Sequence, residues 1–187
     1  MKKMSSRGDA ATPPSGRLRL GLDGDDFRAV CVLMLLYTLQ GVPMGLSASV
    51  GFALQEHGAS YADQGAFSLA SWPFSLKVLW APIVDAMYVR SFGRRRTWVM
   101  PLQAVVGVTL LTLSTTLARS METADAKSLA KTFFWLYLLL ASQDIAVDGW
   151  ALTMLSEENV GLASTCNAIG QMIGFFTCFT GYMIMNS

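Results

Sequence analysis

The chain reads as an all-α, polytopic membrane protein with about five transmembrane helices, and three observations predict this. Of its 187 residues, 52% are hydrophobic and only 14% are charged, whereas a soluble globular domain carries roughly 25% charged residues. Its mean hydropathy is +0.41. Long apolar runs recur between short polar segments, and about 20 such residues in a helix span a ~30 Å hydrocarbon core. Lastly, Asp144 and Asp148 lie inside one of these runs at a spacing of four, which puts both on one helical face about 6 Å apart. An ionised Asp near a bilayer centre costs at least ~2.5–3.5 kcal/mol, so that face requires a partner, water, protons or a substrate.

In chain order, residues 1–28 are polar, interrupted by Gly and Pro, and carry Lys2, Lys3, Arg7, Arg17, Arg19 and Arg28. They read as a flexible cytosolic tail. The stretch Arg17-Leu18-Arg19-Leu20 could touch anionic lipid, but solvation suits it better. The apolar run that follows is too long for a signal-peptide core. The first span, 29–55, holds no charge. Near mid-depth Gln40-Gly41-Val42-Pro43 interrupts it: Pro43 removes a backbone hydrogen bond, and such breaks are tolerated where protein or a water-filled cavity covers them. A plain kink and a cavity-lining break both fit. The second span, 64–84, contains Pro73, Lys77 and Pro82, with Trp72 just before the first of these and Trp80 between the last two. The third, 97–118, is uncharged, and a mixed loop over 119–131 leads to the fourth, 132–155, which holds both aspartates. A polar turn at Ser156–Asn159 precedes the fifth span, 160–184, with Asn167, Gln171 and the glycines Gly161, Gly170 and Gly174. Small residues of this kind let helices approach closely in lipid.

The tail and the Arg90–Arg96 segment are the strongest Lys/Arg clusters, and two intervening spans put them on one side. The positive-inside rule makes that side cytosolic. Five spans form an incomplete bundle, so the chain is expected to be a portion of a longer carrier. A net charge of +1 excludes the broad basic surface that nucleic-acid binding needs. Cys31, Cys166 and Cys178 lie in apolar runs without CxxC spacing and read as packing residues. With a single His, and no Ser/His/Asp, Cys/His or metal constellation, the pattern points away from an enzyme and from any cofactor or metal.

Counting 1.5 Å per residue from the cytosolic ends of their spans puts Lys77 and Asp148 both roughly 12 Å deep and Asp144 roughly 18 Å deep. Matched depth makes Lys77 and Asp148 the expected ion pair, structural or gating in role. Asp144 is then the freer group, able to exchange a proton or meet substrate. Gln40, Gln143, Asn167 and Gln171 complete the candidate pathway residues. The alternatives are that both aspartates only pair and cap helices, and that Lys77 snorkels outward or meets an anionic substrate.

Between spans two and three, Asp85 is followed by Gly93-Arg94-Arg95-Arg96. A carboxylate at a helix end, then a turn with paired arginines, resembles the signature loop of the major facilitator superfamily. That pattern has Gly four residues before the Asp where this chain has Ala81, and fewer residues between Asp and Gly-Arg-Arg. The resemblance implies a cytosolic gate built on Asp85, Gly93, Arg94, Arg95 and Arg96; the alternative is a purely topogenic basic loop. Longer strings narrow the likeness: Trp72-Pro73-Phe74-Ser75-Leu76-Lys77 running into Leu79-Trp80-Ala81-Pro82-Ile83-Val84-Asp85, then Gln143-Asp144-Ile145-Ala146-Val147-Asp148-Gly149-Trp150, and Glu158-Asn159-Val160-Gly161-Leu162-Ala163-Ser164-Thr165-Cys166-Asn167. From about residue 30 onward the chain resembles the acetyl-coenzyme A transporter family of the endoplasmic reticulum membrane, solute carrier family 33. Bacterial muropeptide permeases show a related but less similar pattern. The resemblance implies a multi-span carrier bringing acetyl-CoA from the cytosol to the endoplasmic reticulum lumen, with solute:proton symport. A second helical bundle, or a homo-oligomer, would complete the translocation path. The other readings are a muropeptide- or peptide-type proton symporter and a non-transporting half-bundle.

Overall fold

A computed structural model of the protein describes residues 23–122 and 126–185, and among these every regular element is helical. Residues 1–22, most of the expected tail, lie outside the described residues. The first helix, α1, runs Gly24–Glu56 with Asp25 and Asp26 in its first turn, where carboxylates meet the positive end of the helix dipole. It begins five residues before the expected span because these residues are a helix start, not tail. It ends where the His57 amide bonds the Ala53 carbonyl and Gly58 takes φ 76°, a left-handed conformation suited to Gly.

The expected second span is not one helix. It comprises α2 (Tyr61–Ser68), a 3₁₀ turn (Leu69–Ser71), α3 (Trp72–Leu76), a second 3₁₀ turn (Lys77–Leu79) and α4 (Ala81–Ala86). Ser60 caps α2 by accepting from the Asp63 amide at 3.2 Å. Pro73 and Pro82 stand in the first turns of α3 and α4. There a missing N–H costs nothing to the new helix but ends the previous one. Two long helices follow, α5 (Arg96–Glu122) and α6 (Ala126–Met154), so helix occupies much of the expected 119–131 loop. The last is α7 (Leu162–Met185). By length and composition α1, the Arg96–Leu113 part of α5, and α7 can each cross a membrane. The 29-residue α6 is long enough, but Gln143, Asp144 and Asp148 dilute its apolar character. The protein is thus an all-α polytopic membrane protein.

Helix α6 packs against α1, α5 and the whole α2–α4 series, while α1 and α7 form the most extensive single helix pair. That pair explains four glycines. Gly41 and Gly45 of α1 face Gly170 and Gly174 of α7: a Cβ on Gly41 or Gly45 would overlap the backbone of Gln171 or Phe175, and one on Gly174 would overlap the Thr38 carbonyl. Gly-x-x-x-Gly on both helices lets the backbones touch, where dispersion and close fit replace the hydrophobic effect that lipid cannot supply. Gly161, by contrast, has open space around it.

The core falls into two apolar clusters. One gathers Val50, Leu54, Phe67, Val106, Phe133, Leu136 and Leu140. The other gathers Leu33, Tyr37, Val84, Val99, Val147, Ala151 and Leu155. Between their contributions to α1 and α6 lie Gln40, Gln143 and Asp144, 0%, 0% and 2% exposed. A polar layer is therefore sandwiched inside the bundle.

Candidate functional site

The polar layer is assembled on α6. Asp144 and Asp148 share a face, and Lys77 reaches them from the second 3₁₀ turn. Its Nζ lies 2.5 Å from Asp144 Oδ2 and 3.4 Å from Asp148 Oδ2. This corrects the expected pairing: Lys77 bridges both carboxylates and sits closer to Asp144. The reason is backbone geometry. Residues 77–85 are not a continuous α-helix, and a 3₁₀ turn rises about 2.0 Å per residue against 1.5 Å. Lys77 therefore sits deeper than its sequence distance from Asp85 implies, and its flexible stem covers the rest.

Asp148 is the better-connected carboxylate. Its Oδ1 accepts from the Tyr37 hydroxyl at 2.8 Å and from Asn167 Nδ2 at 3.2 Å, tying α1 and α7 to α6. It also borders an open cleft of about 460 Å³ lined by Tyr37, Leu152, Ser164 and Asn167. Asp144 is nearly sealed, and its Oδ1 has no hydrogen-bond partner among the described residues. With all three groups ionised, one lysine faces two aspartates, leaving a single negative charge inside the bundle.

The amides sort into two further contacts. Gln171 Nε2 lies 3.5 Å from Gln40 Oε1, linking α7 to α1 beside the Gly41 crossing. Gln143 turns away from the charges and donates to Gln103 Oε1 of α5 at 2.5 Å. Gln40 Nε2 and Gln143 Oε1 are buried without partners. Such orphaned groups are rare in apolar interiors and mark places that hold water or a ligand, or that rearrange.

At the end of the bundle that carries the arginines, Asp85 Oδ1 receives Arg95 Nη1 at 2.9 Å and Arg94 Nη2 at 3.4 Å, while Arg94 Nε donates to the Asp85 carbonyl at 2.8 Å. Gly93, at φ 86°, makes the turn that aims both arginines back at α4. Arg95 also crosses to α6, where its guanidinium occupies the space a Cβ on Gly149 would need. Arg96 stands apart. It makes no ion pair among the described residues and lines a separate groove with Trp150.

Several participants are not among the residues that charge and spacing single out. Tyr37 lies one turn before Gln40 on the same helix, and that stripe is the signal that finds it. Gln103 is a polar side chain in an otherwise apolar run. Trp80 Nε1 donates to Ser142 Oγ at 3.2 Å. Asp26, assigned to the tail, accepts from the Ser156 amide, the Ser156 hydroxyl and Asn159 Nδ2 at 2.9, 2.7 and 2.6 Å. It fastens the start of α1 to the α6–α7 turn.

The fold and this layer define the class: a polytopic membrane protein with a charged site enclosed by its helices and reached from a cleft. The family model described as acetyl-coenzyme A transporter 1 matches residues 29–187, and the chain belongs to that family. It is 45% identical over 163 residues to an uncharacterized protein of Schizosaccharomyces pombe, covering 86% of this chain and 31% of that one. It is 39% identical to an uncharacterized membrane protein of Saccharomyces cerevisiae, covering 83% and 31%. It is also 26% identical to the anhydromuropeptide permease of Escherichia coli, covering 76% and 28%. The chain spans about a third of the length of these relatives. No solved structure matches it significantly.

Proposed function

We propose that the chain forms part of a proton-coupled membrane carrier for acetyl-CoA, seated in the endoplasmic reticulum membrane with its N-terminus in the cytosol. Family membership supports the substrate class, and the basic Arg90–Arg96 segment supports the orientation. The observation that carries the mechanism is the Lys77–Asp144–Asp148 cluster with its excess carboxylate. A buried negative charge with an unpartnered oxygen is best relieved by a proton. Asp144 takes up and releases that proton, and stands ionised against Lys77 when the proton is absent. Asp148, open to the cleft and bonded to Tyr37 and Asn167, exchanges protons with the cleft. Lys77, shared between the two, shifts its weight to whichever carboxylate is ionised. Asp85, Arg94 and Arg95 brace the end of the bundle over this layer and act as its gate.

Anionic when Asp144 is ionised and neutral when it is protonated, the cluster never has surplus positive charge, so the phosphates of acetyl-CoA are not bound there. They meet cations elsewhere, at the arginine-lined mouth and on a second bundle that completes the path. The likeness to the anhydromuropeptide permease keeps one competing substrate, a muropeptide. Counterflow in proteoliposomes containing the whole carrier tests both readings. Labelled acetyl-CoA should exchange and a muropeptide should not, and Asp144→Asn should abolish the pH dependence of uptake. Muropeptide exchange would overturn the substrate assignment, and an unchanged pH profile would overturn the role of Asp144.

A further inference from the structure

Of the three consecutive arginines, Arg94 and Arg95 are consumed by Asp85. Arg96, the first residue of α5, leaves that network and lines a groove of about 530 Å³ between helices. Apart from Ser91 the other walls are apolar or aromatic: Val32 and Leu36 of α1, Met100 of α5, Phe92 of the loop and Trp150 of α6. Arg96, at the start of α5, is the one charged residue of this lining. Four arginines against one aspartate over residues 85–96 leave a strong positive excess there. The start of α5 adds the positive end of a helix dipole. Trp150 supplies the aromatic, amphipathic ring favoured at headgroup level.

We propose that this groove is a binding site for one anionic phospholipid, with the headgroup phosphate on Arg96 and the upper part of an acyl chain along Val32, Leu36 and Met100. Charge complementarity selects the occupant. A zwitterionic lipid offers no net charge to the arginine excess, and a free phosphate cannot cover the apolar walls. Basic pockets between membrane helices take anionic headgroups for this reason. Occupancy would brace α1 against α5 beside the Arg95–Gly149 contact.

Native mass spectrometry of the protein released from nanodiscs tests this. In phosphatidylcholine discs doped with phosphatidylinositol, the protein should retain one phosphatidylinositol in preference to phosphatidylcholine. Arg96→Ala should weaken retention about fivefold, the equivalent of ~1 kcal/mol per basic residue at a membrane surface. Met100→Trp, which fills the groove and keeps the charge, should weaken it comparably. Arg90→Ala, the same charge change outside the groove, should leave it within about twofold. Equal losses for Arg90→Ala and Arg96→Ala would reduce the effect to diffuse attraction and overturn the site. Full displacement of the lipid by inorganic phosphate would also overturn it, by showing that the apolar walls contribute nothing.

Discussion

Lys77 is the sharpest place to perturb the protein, because its two carboxylate partners differ in distance and exposure. With an effective dielectric of ~20, attraction at the observed 2.5 and 3.4 Å is roughly 7 and roughly 5 kcal/mol before desolvation. Desolvation removes most of this, and solvent around Asp148, whose side chain is 41% exposed against 3% for Asp144, screens that pair further. Removing one partner of a buried pair leaves the other uncompensated, at ~3–5 kcal/mol. Lys77→Met should therefore destabilise the protein by about 3–5 kcal/mol, mostly through stranded Asp144. Asp144→Asn in that background should recover most of the loss, whereas Asp148→Asn should recover less than about 1 kcal/mol. Reversible unfolding in mixed micelles, followed by tryptophan fluorescence across the double-mutant cycles, measures both couplings. Equal rescue by Asp148→Asn would refute the reasoning and restore the pairing that matched depth predicts.

Two other substitutions test the packing. Gly174→Ala puts a Cβ onto the Thr38 carbonyl and Gly41 Cα, backbone atoms that cannot swing aside. It should cost about 1–3 kcal/mol in the same unfolding assay, while Gly181→Ala, with nothing within 4 Å, should change stability by less than about 0.5 kcal/mol. Gly149→Ala displaces only the flexible end of Arg95. It should leave stability within about 1 kcal/mol yet raise the alkylation rate of a Ser164→Cys reporter in the cleft, with Cys31, Cys166 and Cys178 replaced.

Much of this was legible from residue type and spacing. The charged pair on α6, the lysine facing it, and the amides Gln40, Asn167 and Gln171 follow from asking which polar groups an apolar run can tolerate. Pairing of Asp85 with the arginines follows only from the resemblance of that loop to the major facilitator signature. The glycines of α7 announce a close crossing. What spacing could not supply was depth, because a count of residues assumes one rise per residue and the Lys77–Leu79 turn breaks that assumption. It also could not separate Arg96 from its neighbours, since three adjacent arginines are alike until the helix start gives each a different direction. Asp26 was hidden for another reason. Near a polar terminus a carboxylate looks solvated, and only the return of the chain at Ser156 and Asn159 shows that it is held.

The distribution of prolines adds a mechanical reading of the site. Pro43 lies within α1, Pro73 and Pro82 divide the second segment, and Pro101 lies within α5. Helix α6, which carries both aspartates, has none. The elements that supply Tyr37, Gln40, Lys77 and Gln103 to the polar layer are therefore the ones with a weakened hydrogen-bond ladder, and the element they converge on is continuous. A continuous helix holds Asp144 and Asp148 at a fixed spacing of one turn, while interrupted helices can pivot where their ladders are broken. In such an arrangement the charges stay in place and their partners change. On the proposed mechanism, Lys77 shifts between two carboxylates one turn apart and Tyr37 holds or releases Asp148, the movement lying in the interrupted elements that carry Lys77 and Tyr37.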